Sequence, residues 1–251
     1  MAKKDVSVLV SAAGWVGGFV DSLVRELRAR GVTDTEIHAL VTEDAKVPVG
    51  KIADGILEVI RPQKTLLISD TKNLLADWQL FWHELGIKVD FTNLVIPPRR
   101  KGFDRLLIIP QGLTIEGAYK LCAQNFKCWR WTEKNFDEII THNDRDPKNG
   151  SYAIWVRDRV EADEELRNLS ADDLTNKKIP GITLLERLVY ESKYFKETGN
   201  HLDINNWTLC TGSRYCDGGV PSVGWAYGEM FDHWFHPDSR FGDLRTREAV
   251  S

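Results

Sequence analysis

The chain has 251 residues, of which 42% are hydrophobic and 28% are charged, and its formal net charge is −4. This balance is ordinary for a globular protein with one large domain or two small ones. Because there is no basic excess to neutralise phosphates, a nucleic-acid partner is not expected. A membrane span is not expected either, because no run of about 18 apolar residues occurs.

The N-terminus lacks the pattern of a secretory signal. Its basic start is interrupted by Asp5, and the charged stretch 21–30 continues the same helical pattern without a convincing cleavage site. Cytoplasmic residence is therefore the default expectation.

Cysteine usage favours reduced thiols, because four cysteines in a long chain make a sparse set. They are Cys122, Cys128, Cys210 and Cys216. Their spacing differs from the tight cysteine pairs of zinc sites. The sequence therefore predicts no metal and no cofactor.

Helical patterns dominate the first ninety-five residues. Apolar residues at helical spacing predict a helix over 19–27 that Gly31 ends, and shorter amphipathic stretches over 33–41 and 49–60. A fourth helix is predicted over 74–85. We interpret residues 1–95 as a small, mainly helical N-terminal region.

The pattern changes after Pro97 and Pro98, so residues 96–251 are interpreted as a second domain. This domain mixes strands and helices, which makes its class α+β. The predicted elements are a strand over 103–109, a helix capped by Thr114, a turn over 143–150, a strand over 152–159, a helix that begins at Thr183 with Glu186 as a capping box and ends at Gly199, a strand over 207–213 and a closing strand over 244–251.

Residues 214–243 differ from the rest of the chain. This stretch holds seven of the Trp, Tyr and Phe residues, has many Gly and Asp, and contains no Lys, Asn, Gln, Thr, Ile or Leu. It follows neither the helical nor the strand period cleanly. Rigid rings among small polar residues are typical of recognition loops, which favours a binding surface over an active site. The alternative is an irregular loop region with buried tryptophans.

Five stretches between residues 103 and 251 form a recognisable set of motifs: 150–154 (GSYAI), 157–165 (RDRVEADEE), 181–187 (GITLLER), 207–214 (WTLCTGSR) and 245–251 (RTREAVS). With these motifs the chain resembles the variable proteins of diversity-generating retroelements. The resemblance implies a C-type-lectin fold of the formylglycine-generating-enzyme subtype, with a variable region over about 207–251. It also implies a binding protein rather than an enzyme, whose ligand is unknown and is expected to be a protein or another macromolecule.

In the family that the chain resembles, reverse transcription alters adenines of the template and so exchanges chosen residues. The permitted products exclude Trp, Met, Lys, Gln and Glu, so Trp225, Glu229, Met230 and Trp234 are expected to be fixed. The residues expected to vary and to contact the ligand are Tyr215, Gly219, Ser222, Gly224, Ala226, Tyr227, Phe231, Asp232, His233, His236, Ser239, Arg240, Phe241 and Gly242. We expect their side chains to lie mostly exposed on one face, with Trp225 and Trp234 more buried.

Two enzymatic hypotheses remain as alternatives. The glycine-rich stretch 8–17 resembles the turn of nucleotide-binding oxidoreductases, but Ser11 stands where the first glycine belongs. An oxidase related to the formylglycine-generating enzymes would use Cys210 and Cys216, although a buried structural thiol is the better interpretation of Cys210.

Histidines near carboxylates have simpler interpretations than metal binding. His142 with Asp144 and Asp146 is more typical of a turn in which side chains cap the backbone. His233 and His236 are interpreted as recognition residues.

Overall fold

A computed structural model gives the architecture of the chain and describes residues 24–25, 27–39 and 71–251. The chain forms two compact units, Met1–Thr65 and Leu66–Ser251. In the first unit, α1 covers Asp34–Ala39. Before α1, Gly31 has a φ of 85° and ends a helical segment, which confirms its predicted role. The predicted stretch 49–60 lies outside the described residues.

The second unit alternates helices and strands along the chain. In order they are α2 Thr71–Glu84, β1 Arg105–Ile109, α3 Ile115–Asn125, β2 Cys128–Arg130, α4 Phe136–Ile139, β3 Ile140–Asn143, a 3-10 turn Pro147–Asn149, β4 Tyr152–Val156, a 3-10 turn Glu164–Leu166, α5 Ala171–Asn176, α6 Leu184–Thr198, β5 Trp207–Leu209, β6 Ser213–Tyr215, β7 Val220–Ala226, β8 Glu229–Phe235 and β9 Leu244–Arg245. This mixture confirms the α+β class.

Three sheets organise this unit. The largest has the strand order β2-β8-β7-β5-β9, in which β2 lies parallel to β8 and β9 parallel to β5, while β7 runs antiparallel to both β8 and β5. The other two sheets are the antiparallel pairs β1–β4 and β3–β6. Helix α6 packs against α3, β1 and β7, and its apolar side enters the main core.

Helix ends follow the predicted capping chemistry. Thr114 accepts a hydrogen bond from the N–H of Gly117 at the start of α3. Thr183 and Glu186 form a reciprocal capping box at the start of α6, and Gly199 ends that helix in the left-handed conformation. These three cap predictions are confirmed.

Helix α2 belongs to the second unit, although the sequence analysis placed it in the N-terminal region. Trp78, Phe81 and Trp82 on one side of α2 are buried in the main core. The indole N–H of Trp82 also donates to the carbonyl oxygen of Ile108 in β1 at 3.2 Å. The amphipathic pattern of this helix therefore serves the packing of the mixed unit.

Residues 214–243, in which the sequence shows neither period cleanly and which were interpreted as recognition loops, contain two regular strands. The stretch contains β7 and β8, which pair along seven residues each and form the central hairpin of the largest sheet. Gly224 interrupts the alternation of β7, because the indole of Trp207 from β5 fills the space where its side chain would stand. The predicted closing strand is short: β9 has two residues, and Glu248 and Val250 make single bridges to Gly181 and Trp155.

A buried ionic network connects the elements that surround the β7–β8 hairpin. Asp203 accepts hydrogen bonds from Arg187 Nε at 3.0 Å and from Arg247 Nη2 at 2.7 Å. Arg187 also donates to Glu191 at 2.8 Å, and all four side chains are almost fully buried. The hydroxyl of Thr208 in β5 donates to the same Asp203 carboxylate. The network thereby joins α6, β5 and the C-terminal segment.

Candidate ligand-binding surface

The register of the β7–β8 hairpin sorts its side chains onto two sides of the sheet. Successive residues of a strand point to opposite sides, and directly paired residues share a side. Met230 and Asp232 of β8 therefore share the inner side with their partners Trp225 and Val223. Phe231, with Gly224 opposite it, belongs to the outer side.

The outer side carries a continuous group of rings, which we call the aromatic face. Its members are Trp129, Trp207, Tyr227, Phe231, His233, Phe235 and Phe241. The ring centroid of Phe231 lies 5.2 Å from that of Trp129, 6.3 Å from Trp207 and 6.2 Å from Tyr227. His233 lies 5.3 Å from Phe235, which in turn lies 5.6 Å from Phe241. Each ring is therefore within contact range of another.

The aromatic face remains open to solvent although its rings touch one another. Trp129 is 40% exposed, Phe241 is 49% exposed and Tyr227 is 96% exposed, while Phe231 is half-buried. A small second core of Ala171, Leu209, Val220 and Leu244 packs beneath one end, against Trp207 and Phe235. The rings thus rest on a fixed base and still present apolar area outward.

Gly224 gives Trp207 its place in the aromatic face. A Cβ on Gly224 would lie 2.8 Å from Cε3 of Trp207, closer than real Cβ contacts allow. The indole of Trp207 therefore occupies the space where a β7 side chain would stand. This close approach requires glycine at position 224.

Tyr227 stands at the tip of the hairpin in a strained conformation. Tyr227 and Gly228 have φ values of 52° and 81°, the pattern of a type I′ turn, which favours Asn-Gly. A tyrosine in the left-handed region is disfavoured, and this one buries almost nothing. The fold gains little from this ring, which favours a role in recognition.

The fourteen predicted contact residues divide into three groups. Tyr227, His233, His236, Arg240, Phe241 and Gly242 are exposed, and Ala226, Phe231 and Ser239 are half-buried. The expectation of exposure is wrong for the remaining five, which are Tyr215, Gly219, Ser222, Gly224 and Asp232.

The buried five have structural reasons for their positions. The Tyr215 hydroxyl accepts a hydrogen bond from Trp131 Nε1 and donates one to Asp232, both at 3.0 Å, on the inner side of the sheet. Burial raises the pKa of Asp232 well above its usual range. A side chain at Gly219 would collide with the indole of Trp234. Ser222 is fully buried opposite Leu209, its partner in β5.

The two tryptophans expected to be fixed are half-buried on the inner side. Trp225 stacks on the imidazole of His201 with ring centroids 3.3 Å apart. Trp234 donates from Nε1 to the carboxylate of Asp217 at 3.1 Å. Both are more buried than the exposed group but less buried than Tyr215 and Asp232, so that part of the expectation holds only against the exposed residues.

Sequence reasoning missed Trp129 and Trp207 as members of the aromatic face. Trp129 lies about one hundred residues before the hairpin and joins it because β2 pairs in parallel with β8, which places Trp129 beside Phe231. Trp207 was assigned to a strand without a surface role. An aromatic residue opposite a strand glycine was the only available signal for it.

The cysteine geometry bears on the oxidase alternative. All four cysteines are free, Cys210 is fully buried and Cys216 is exposed. Burial raises the pKa of Cys210 well above its usual range, which keeps this thiol protonated and unreactive. The stretch 8–17, on which the nucleotide-binding alternative depends, lies outside the described residues.

Other chemistry is limited in the part of the chain that the structure describes. Within it, no cluster of three or more His, Cys, Asp or Glu side chains has the geometry to hold a metal ion. None of its helices combines the length and apolar character that crossing a membrane requires.

No protein-family model, curated protein or solved structure matches the chain.

Proposed function

We propose that this chain is a ligand-binding protein, not an enzyme, and that the aromatic face is its contact surface. The observation that carries the proposal is the unbroken set of exposed and half-buried rings from Trp129 to Phe241, most of them on paired strands. Clustered exposed rings are uncommon on a surface without a partner, and aromatic side chains dominate the energy of binding interfaces. The partner in this proposal is a protein or another macromolecule.

The proposal includes a C-type-lectin-like scaffold whose residues a retroelement exchanges. Support comes from the five stretches that resemble the variable proteins of diversity-generating retroelements. Further support comes from the division of the predicted residues, because Tyr227, His233, His236, Arg240 and Phe241 can be exchanged without disturbing buried packing.

Sequencing of the DNA that flanks the gene tests the diversification. A near-copy of the 3′ end, with adenines at the codons of the exposed residues and a reverse-transcriptase gene nearby, is expected. Across natural copies, substitutions should concentrate at Tyr227, His233, His236, Arg240 and Phe241 and spare Gly219, Gly224 and Asp232. Absence of the repeat, or substitutions spread evenly along the chain, would refute diversification.

A selection from a random-peptide display library tests binding itself. Peptides enriched on the full chain should lose most of their binding to Phe231→Ser, because Phe231 contacts three other rings of the aromatic face. Val95→Ser is the matched control, since Val95 is 80% exposed and is not one of the rings of that face. Equal binding by both variants would place the contact surface elsewhere.

A further inference from the structure

A cleft of about 530 Å³ is lined by residues of β3, β6 and α5 and by the segment that follows α5. The lining includes His142 of β3, Arg214 of β6, and Lys178, Ile179 and Pro180, which follow α5. It shares no lining residue with the aromatic face. Its volume is within the range of sites for small organic ligands, which is about 300–1,000 Å³.

Arg214 is an exception among the arginines of residues 71–251. Each of the others lies within 4.0 Å of a carboxylate oxygen, whereas Arg214 has no such partner among the described residues. Asp144 and Asp172 act on it only from a longer distance. A half-buried guanidinium without a counter-ion is unusual, because burial disfavours an unpaired charge.

The hydrogen bonds of Arg214 leave one edge of its guanidinium free. Nη1 donates to the carbonyl oxygens of Thr211 at 2.6 Å and Ser213 at 2.8 Å, which fixes the group. Nε and Nη2 donate to no described residue, and neither is a buried unpaired atom. These two nitrogens form the side-on fork that matches a carboxylate. Arg145 uses the same fork on Glu186, with distances of 2.6 and 2.9 Å.

Lys178, the second residue after α5, adds a second cation to the cleft lining. Its φ is 54°, a conformation that favours glycine or asparagine over lysine. The carbonyl oxygens of Asp173, Leu174 and Thr175 accept hydrogen bonds from the N–H groups of residues 177–179, so the end of the helix offers the cleft no free carbonyl from these residues.

The remaining lining groups set the polarity of the cleft. Asp144 is the one carboxylate in the lining, and His142 Nε2 lies 3.1 Å from it. The cations of Arg214 and Lys178 therefore outnumber the anions. Leu174, Ile179 and Pro180 supply an apolar wall.

We propose that this cleft binds a small organic carboxylate, with Arg214 as the bidentate partner of the carboxylate, Lys178 as a second cation and the apolar wall against the body of the ligand. The site is separate from the aromatic face, so failure of either proposal leaves the other standing.

Calorimetric titration of the full chain with hexanoate and benzoate tests the proposal, with hexanamide and benzamide as neutral controls of the same shape. At least one carboxylate should bind and its amide should not. Arg214→Gln should abolish binding, and Arg214→Lys, which keeps the charge without the fork, should weaken it about tenfold. Asp217→Asn, outside the cleft, should leave binding unchanged.

Lys178→Gly separates binding from folding. Glycine suits the left-handed conformation, so this variant should melt no lower than the wild type while it binds the carboxylate several-fold more weakly. Absence of carboxylate binding by the wild type, or unchanged binding by both Arg214→Lys and Lys178→Gly, would overturn the proposal. Binding of inorganic phosphate without binding of either carboxylate would also overturn it, because the ligand class would be wrong.

Discussion

The indole of Trp207 occupies the space above Gly224, where a Cβ would come 2.8 Å from its Cε3 atom. This relationship links two strands, because Trp207 belongs to β5 and Gly224 to β7. It also fixes the position of one ring that contacts Phe231. The aromatic face therefore depends on a residue that contributes no side chain.

Gly224→Ala should displace Trp207 and destabilise the fold by about 1–3 kcal/mol, as overpacking does in other cores. Urea unfolding measures the loss, and the fluorescence of the displaced indole should shift to longer wavelength. Gly242→Ala is the matched control, because a Cβ at Gly242 meets nothing closer than 3.6 Å. Equal stability of the two variants would contradict the role assigned to Gly224.

Tyr227→Asn should stabilise the fold by about 1 kcal/mol, because asparagine tolerates the left-handed conformation that tyrosine occupies here. The same variant should weaken the peptides selected on the aromatic face. The opposite signs of the two effects distinguish a recognition residue from a packing residue. Tyr227→Phe, which keeps both the ring and the strain, should change the free energy of unfolding little.

Local chemistry explains what the sequence could predict of this fold. The caps at Thr114 and Thr183 and the left-handed Gly199 depend on neighbouring residues only, and all three were predicted correctly. The hairpin over 220–235 was not predicted, because its polar–apolar alternation is interrupted at residues that contact side chains of other strands. In the sequence alone Gly224 indicates a break in the strand, whereas in the structure it makes room for the indole of Trp207.

Only part of the candidate site could be predicted, because its membership depends on strand pairing as well as on local sequence. Composition singled out the stretch 214–243, and the resemblance to the retroelement variable proteins supplied the exposed residues from Tyr227 to Phe241. Neither separates the two sides of a strand. Asp232 and His233 are adjacent in sequence, yet one is fully buried and the other exposed. Trp129 enters the aromatic face through a parallel strand pairing that no local pattern indicates.

Asp232→Asn should stabilise the protein at pH 7, because burial raises the pKa of Asp232 in the folded state. In the unfolded chain this carboxyl ionises freely above about pH 3.9. The protonated Asp232 therefore costs the folded state nothing below that pH. As the pH rises from there towards the folded-state pKa, the free energy of unfolding of the wild type falls, because the unfolded chain releases this proton and the folded chain does not. Asparagine is neutral throughout and its carbonyl can still accept from Tyr215.

The difference in unfolding free energy between Asp232→Asn and the wild type should accordingly grow from pH 4 to pH 7. Urea unfolding at several pH values measures it. Asp243→Asn controls for the loss of one negative charge at an exposed side chain. A difference independent of pH would mean that Asp232 is ionised in both states.

Asp203→Asn should destabilise the second unit by about 3–5 kcal/mol, because it leaves Arg187 and Arg247 with a buried positive charge that the network no longer balances. Asparagine tolerates the φ of 54° at this position, so the loss reports the charge and not the backbone. Glu165→Gln provides the comparison: its partner Arg159 is exposed, and the change should cost less than about 1 kcal/mol.

Because Asp203 also accepts a hydrogen bond from Thr208, next to Trp207, the Asp203→Asn variant should also release the Trp207 ring and weaken peptide binding at the aromatic face. Undiminished binding in a folded Asp203→Asn variant would show that the network stabilises the unit without positioning the face.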